Sequence, residues 1–208
     1  MDLQVPVIGI LRGIDSDFFT EVMQASFGVG LQALEITMNT VGALDIVRRN
    51  RPLVPDGAML GMGTIRNLDE AQQAVAAGAM FLVTPNLDEE VVRYGVSCQV
   101  PVVAGALTPT EVYRAWAAGA AMVKVFPCGA MGGASYIKSL RGPFDHIPLV
   151  AVGGVSLATL ADYFAAGAHG VGVSTSLFGP EALAEKNINE LTKNVKNYIW
   201  KCSEFRKT

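Results

Sequence analysis

Two charged residues stand inside otherwise apolar segments. Lys124 lies within AAMVKVFP (120–127) and Glu35 within LQALEIT (31–37). In an extended segment alternate side chains share a face, which groups Lys124 with Met122 and Phe126, and Glu35 with Ala33 and Thr37. A lysine amine is almost wholly protonated at its ordinary pKa of about 10.4, but loss of water disfavours the cation and brings such amines to about 7–8. The result is a nucleophilic amine. A purely structural ion pair is the competing reading, yet buried pairs seldom stabilise more than well-packed apolar residues do. We therefore expect the two charges to meet at adjacent strand ends. Lys124 as covalent nucleophile and Glu35 as proton shuttle describe Schiff-base chemistry on a carbonyl substrate.

Other residues surround this pair in the pattern. Arg12, in GILRGI, offers two parallel hydrogen bonds to a planar carboxylate, although a surface arginine is common. Gly61-Met62-Gly63-Thr64 offers backbone N–H groups and a hydroxyl, or is an ordinary tight turn. Gly153-Gly154 and Ser174-Thr175-Ser176 end the last two apolar runs, where backbone N–H groups and hydroxyls suit a phosphate. A carboxylate clamp at one end and phosphate at the other fit a phosphorylated sugar acid. His146 and His169 have no cysteine or histidine at ligand spacing, so no metal is expected. No organic cofactor is expected either, because an imine supplies the electrophile. Cys128 has no base nearby in sequence and reads as a small packing residue.

These residues need a scaffold that brings strand ends together. Eight apolar runs closed by turn residues occupy 5–11, 31–37, 58–64, 79–85, 100–106, 120–127, 148–154 and 170–176. They are continuous rather than alternating, as in strands buried on both faces of a parallel sheet. Alanine-rich helical segments lie between them. Asn67 with Glu70, Asn86 with Glu89, and Thr108 with Pro109 and Glu111 read as helix starts. Asn187 with Glu190 opens a last helix carrying Ile188, Leu191, Val195, Ile199, Cys202 and Phe205 at helical spacing. Eight strand–helix units predict a (β/α)8 barrel, with its site at the carboxyl ends of the strands. Gly30, Gly78, Gly119 and Gly167 each end a helix in fixed register to the next strand, 48, 41 and 48 residues apart. That spacing suggests a fourfold repeat of quarter-barrels.

The 208 residues fit one such domain spanning 1–208, and half of them are apolar. Sixteen basic and nineteen acidic residues give a net charge of −3 with no basic block, which argues against nucleic-acid or anionic-membrane partners. No apolar run is long enough for a membrane span, and MDLQVPVIGILRG lacks the layout of a secretion signal. Three cysteines without metal-ligand spacing suit a reducing compartment, so a cytoplasmic protein is expected.

The strings ILRGI, LEITMNT, GMGTI, VTPN, GALTPTE, VKVFP and VGGV, in this order from about Val5 to Phe178, carry a resemblance. The chain resembles the 2-keto-3-deoxy-6-phosphogluconate aldolase family, whose Schiff-base enzymes include 4-hydroxy-2-oxoglutarate and 2-keto-3-deoxy-6-phosphogalactonate aldolases. The resemblance implies a homotrimeric (β/α)8 barrel with Lys124 as the Schiff-base lysine and Glu35 as the acid/base. It also implies Thr64 at the pyruvyl carboxylate, Phe126 lining the pocket and Gly153-Gly154 at the phosphate. Three positions depart from the phosphogluconate pattern. Asn39 stands where arginine is usual, with Arg12 as its replacement, and Val152 replaces a threonine, both as in the phosphogalactonate branch. Ser174-Thr175 replaces a Gly-Ser pair at the phosphate. The expected reaction is reversible cleavage of a 2-keto-3-deoxy-6-phospho sugar acid to pyruvate and D-glyceraldehyde 3-phosphate. A phosphate-binding isomerase or epimerase and a non-catalytic sensor of a phosphosugar acid are the rival readings.

Overall fold

The computed structural model describes residue 1 and residues 3–205. Eight strands follow one another: β1 (Val7–Leu11), β2 (Ala33–Thr37), β3 (Met59–Gly63), β4 (Leu82–Val83), β5 (Val102–Ala106), β6 (Met122–Val125), β7 (Leu149–Val152) and β8 (Gly170–Val173). Each pairs in parallel with the next, and β8 pairs with β1, so the sheet closes into a ring without edges. Helices α1 (Ser16–Gly28), α2 (Ala43–Asn50), α3 (Leu68–Ala76), α4 (Glu89–Ser97), α5 (Pro109–Ala117), α6 (Ala134–Arg141) and α7 (Leu160–Ala165) cover the outside between strands. After β8 come two short turns of helix, α8 (Thr175–Phe178) and α9 (Pro180–Ala184), and the long α10 (Ile188–Ser203). The predicted (β/α)8 barrel is the fold observed.

Both faces of the strands are buried, and this explains their continuous apolar runs. Every residue of β2 and β5 is buried. Inward side chains, among them Ile8, Ala33, Phe81, Val103, Met122 and Val150, pack as a cluster inside the ring. A second, larger cluster lies between the ring and the helices. Ala33 and Met122 share the inner face with Glu35 and Lys124, as the alternation predicts.

The helix starts follow the sequence with one exception. Thr108 and Glu111 form the reciprocal capping box, and Asn67 and Asn187 accept from Glu70 N–H and Glu190 N–H. The cap of α4 is Asp88, not Asn86, because Asn86 still belongs to the turn: its carbonyl accepts the Thr84 hydroxyl. The helix ends are more uniform than expected. At Gly30, Gly78, Gly119 and Gly167 the backbone is left-handed, with φ of 99°, 98°, 101° and 92°. Each of these N–H groups bonds three residues back and the following N–H five residues back, as in Gly78 to Val75 and Ala79 to Ala74. Gln99 and Lys186 close α4 and α9 in the same way at φ 58° and 52°. The closure therefore recurs after consecutive helices, and does not single out quarter-barrels.

Candidate active site

The register places Glu35 on β2 and Lys124 on β6, four strands apart in a ring of eight. They face each other across the ring instead of standing at adjacent strand ends. Both are buried, at 1% and 7% exposure, and their charges act on each other across the cavity. Burial pushes the Glu35 carboxyl up to about 7, against the opposing pull of Lys124 and Arg12. Burial also lowers the Lys124 amine, and the Arg12 charge adds to this while Glu35 opposes it. One pocket thus holds an amine poised to lose its proton and a carboxyl poised near neutrality.

Glycine makes the room for Glu35. A Cβ on Gly63 would lie 2.3 Å from Glu35 Oε1, so only glycine at this inward position leaves space for the carboxylate. Gly61 does the same for the Phe81 ring, 2.4 Å from its would-be Cβ. The GMG segment is thus a pair of clearances, one for a side chain from β2 and one for Phe81, just before β4. Oε2 of Glu35 is buried without a hydrogen-bond partner and sits at a cavity of about 430 Å³. An unsatisfied buried oxygen of this kind calls for a partner from the substrate or solvent.

Arg12, just past β1, reaches Thr64, just past β3: its Nη2 donates to the Thr64 hydroxyl at 3.3 Å. Thr64 has a left-handed backbone, φ 58°, a strained state for threonine that turns its hydroxyl into the cavity. Phe126 lines the same cavity, with Lys124 Nζ 4.9 Å from its ring centre. Gly153 and Gly154 turn the chain after β7 at φ 90° and 81°. The loop after β6 is laced to this turn, as Cys128 N–H and Gly129 N–H donate to the Val152 and Gly153 carbonyls at 2.8 Å. Cys128 itself is buried, and burial raises its thiol to about 11, which keeps it from reacting.

The predicted phosphate end needs one refinement. Ser174 and Thr175 line the cavity, but the Ser174 hydroxyl proton is committed to the Ile10 carbonyl at 3.1 Å. Ser176, the last residue of that segment, also lines the cavity, with its hydroxyl bonded to the Val155 carbonyl. Pro85, from the VTPN string, is a wall residue that the sequence analysis missed. Asn39 is exposed and does not line the cavity, whereas Val152 does. All nine residues singled out by sequence, Arg12, Glu35, Thr64, Lys124, Phe126, Gly153, Gly154, Ser174 and Thr175, border this one cavity.

Among the described residues no helix is long and apolar enough to cross a membrane. A family profile described as KDPG and KHG aldolase matches residues 3–194. The 2-dehydro-3-deoxy-6-phosphogalactonate aldolase of Escherichia coli is 33% identical over 197 residues, 94% of this chain and 95% of that protein. The 2-dehydro-3-deoxy-phosphogluconate aldolase of Pseudomonas aeruginosa is 36% identical over 161 residues, 77% of this chain and 71% of that protein. A solved structure described as native KDPGal superposes with a TM-score of 0.92 at 29% identity, over 100% of this chain and 99% of that one. The isomerase and sensor readings give way: this chain belongs to the KDPG and KHG aldolase family and is a lyase.

Proposed function

We propose that the protein reversibly cleaves a 2-keto-3-deoxy-6-phospho sugar acid, of the gluconate or galactonate type, to pyruvate and D-glyceraldehyde 3-phosphate. The observation that carries this reading is a buried amine facing a buried carboxyl with its pKa near 7 across one cavity. The neutral Lys124 amine adds to the keto carbon, and Glu35 gives a proton to the departing hydroxyl. The iminium then draws the electron pair of the C3–C4 bond as Glu35 takes the proton of the C4 hydroxyl. Aldehyde leaves, the enamine regains a proton at C3, and water releases pyruvate and the amine. A carboxyl near neutrality can act in both directions, each assisted transfer contributing about 10²–10⁴ in rate. Arg12 and Thr64 hold the carboxylate. Phe126 walls the pocket, and Gly153, Gly154, Ser174 and Thr175 border the phosphate.

A second reading, cleavage of 4-hydroxy-2-oxoglutarate, draws on the committed Ser174 hydroxyl, which leaves the phosphate end with fewer free donors. Comparing kcat/KM for the phosphorylated acids and for 4-hydroxy-2-oxoglutarate separates the two. The test of the chemistry is borohydride reduction in the presence of pyruvate, followed by peptide mapping. We expect a reduced pyruvyl adduct on Lys124 and no turnover in Lys124→Ala; near-normal activity of that variant sinks the assignment. We further propose that the whole chain, 1–208, acts as one domain and assembles as a cytoplasmic homotrimer. The homotrimer is the assembly that the family resemblance implies.

A further inference from the structure

Arg12 extends from the short loop between β1 and α1, so its aim depends on how that loop is held. At Gly13, the next residue, the backbone is left-handed, φ 64°, and a Cβ there would touch nothing. On one side the loop borders a second cavity of about 460 Å³, lined by Ile14, Phe18, Leu183 and Lys186 among others. Ile14 packs against the core there, but no side chain packs on Gly13, next to Arg12, from that side. Further along, Asp15 caps α1 by accepting from Phe18 N–H at 3.0 Å, and its pair with Lys186 Nζ at 2.8 Å is more than half exposed and of the weak kind.

The other side is different. Gly13 N–H donates to the Thr40 hydroxyl at 3.0 Å, and that hydroxyl shares a hydrogen bond with the Thr37 hydroxyl, also at 3.0 Å. Both threonines are buried, and Thr40 N–H bonds the Thr37 carbonyl, so the hydroxyl sits in a closed turn. Thr37 lies two residues after Glu35 on the same strand face. Strand β2 thus carries the acid/base and, through two hydroxyls, also the backbone from which Arg12 extends. The Arg12–Thr64 bond is long at 3.3 Å, so a loop shift of a few tenths of an ångström breaks it.

We propose that Thr40 is a positioning residue for carboxylate recognition: by holding Gly13 N–H it aims the Arg12 guanidinium at Thr64. This inference rests on the aldolase reading, in which Arg12 binds the carboxylate of pyruvate. Thr40→Val keeps the shape and removes the acceptor, whereas Thr40→Ser keeps the acceptor. The assay is condensation of pyruvate with D-glyceraldehyde 3-phosphate, with KM for pyruvate and kcat measured separately. We expect Thr40→Val to raise KM about tenfold with kcat changed by no more than about twofold, and Thr40→Ser to restore KM. In an Arg12→Ala background Thr40→Val adds no further loss, because it acts through that side chain. If Thr40→Val melts too low to assay, Thr40→Ala gives the same comparison without added bulk. An unchanged KM, or losses that add fully to those of Arg12→Ala, overturns the inference while leaving the aldolase reading intact. An Arg12→Ala enzyme with unchanged KM for pyruvate overturns the carboxylate role of Arg12 and this inference with it.

Discussion

Glu35 keeps its proton to about pH 7 because the ring removes water from it, and this affects stability as well as catalysis. Below its ordinary value of 4.5 the carboxyl is neutral in folded and unfolded chains alike. Between 4.5 and 7 the unfolded chain releases the proton first, so stability falls as pH rises through that window and then levels off. Glu35→Gln is therefore expected to melt higher than the parent at pH 8, by an amount on the order of 2–3 kcal/mol, and to show no such gain at pH 4. The same variant should still form the pyruvate imine while turnover falls about 10²–10⁴-fold. Gly63→Ala tests the clearance. Its methyl occupies the carboxylate's place, so we expect a loss of turnover comparable to that of Glu35→Gln, with an imine still trappable. Lys124 and Glu35 were legible in sequence because a charge inside an apolar run contradicts its surroundings. Gly63 was read for its backbone, since its actual use, clearance for a side chain from the neighbouring strand, depends on strand register.

At the level of elements, among the described residues six α-helices end with the same pair of backbone hydrogen bonds, and two of them do so without glycine. Left-handed backbone costs an L-residue about 1–2 kcal/mol. Gln99 is exposed, so Gln99→Gly should relieve about 1 kcal/mol and raise the melting temperature by about 2–4 °C, as calorimetry would record. A lower melting temperature would show that the glutamine side chain has a role of its own. The glycine-marked ends could be found by eye, whereas those at Gln99 and Lys186 could not. Strand and helix order was legible throughout because burial on both faces leaves long apolar runs. The start of α4 was misplaced by two residues, since Asn86 and Asp88 are equally good caps and only the Thr84–Asn86 bond decides between them.

For the whole molecule, closure is what turns scattered residues into a site. The cavity takes its walls from seven of the eight strand ends or the loops just beyond them, which no local motif could reveal. The proposed trimer belongs to this scale too. Sedimentation equilibrium should return three times the chain mass, and a single-chain mass would remove the assembly from the account. The placement of amine and carboxyl on opposite strands of the ring has a further consequence. Their separation is the bore of the barrel, a dimension set by inner-layer side chains such as Phe81, Val103 and Met122 that meet no substrate carboxylate. On the proposed mechanism the calibre of the ring is thereby a catalytic quantity, tuned by packing volume at the core as much as by the identity of the reacting groups.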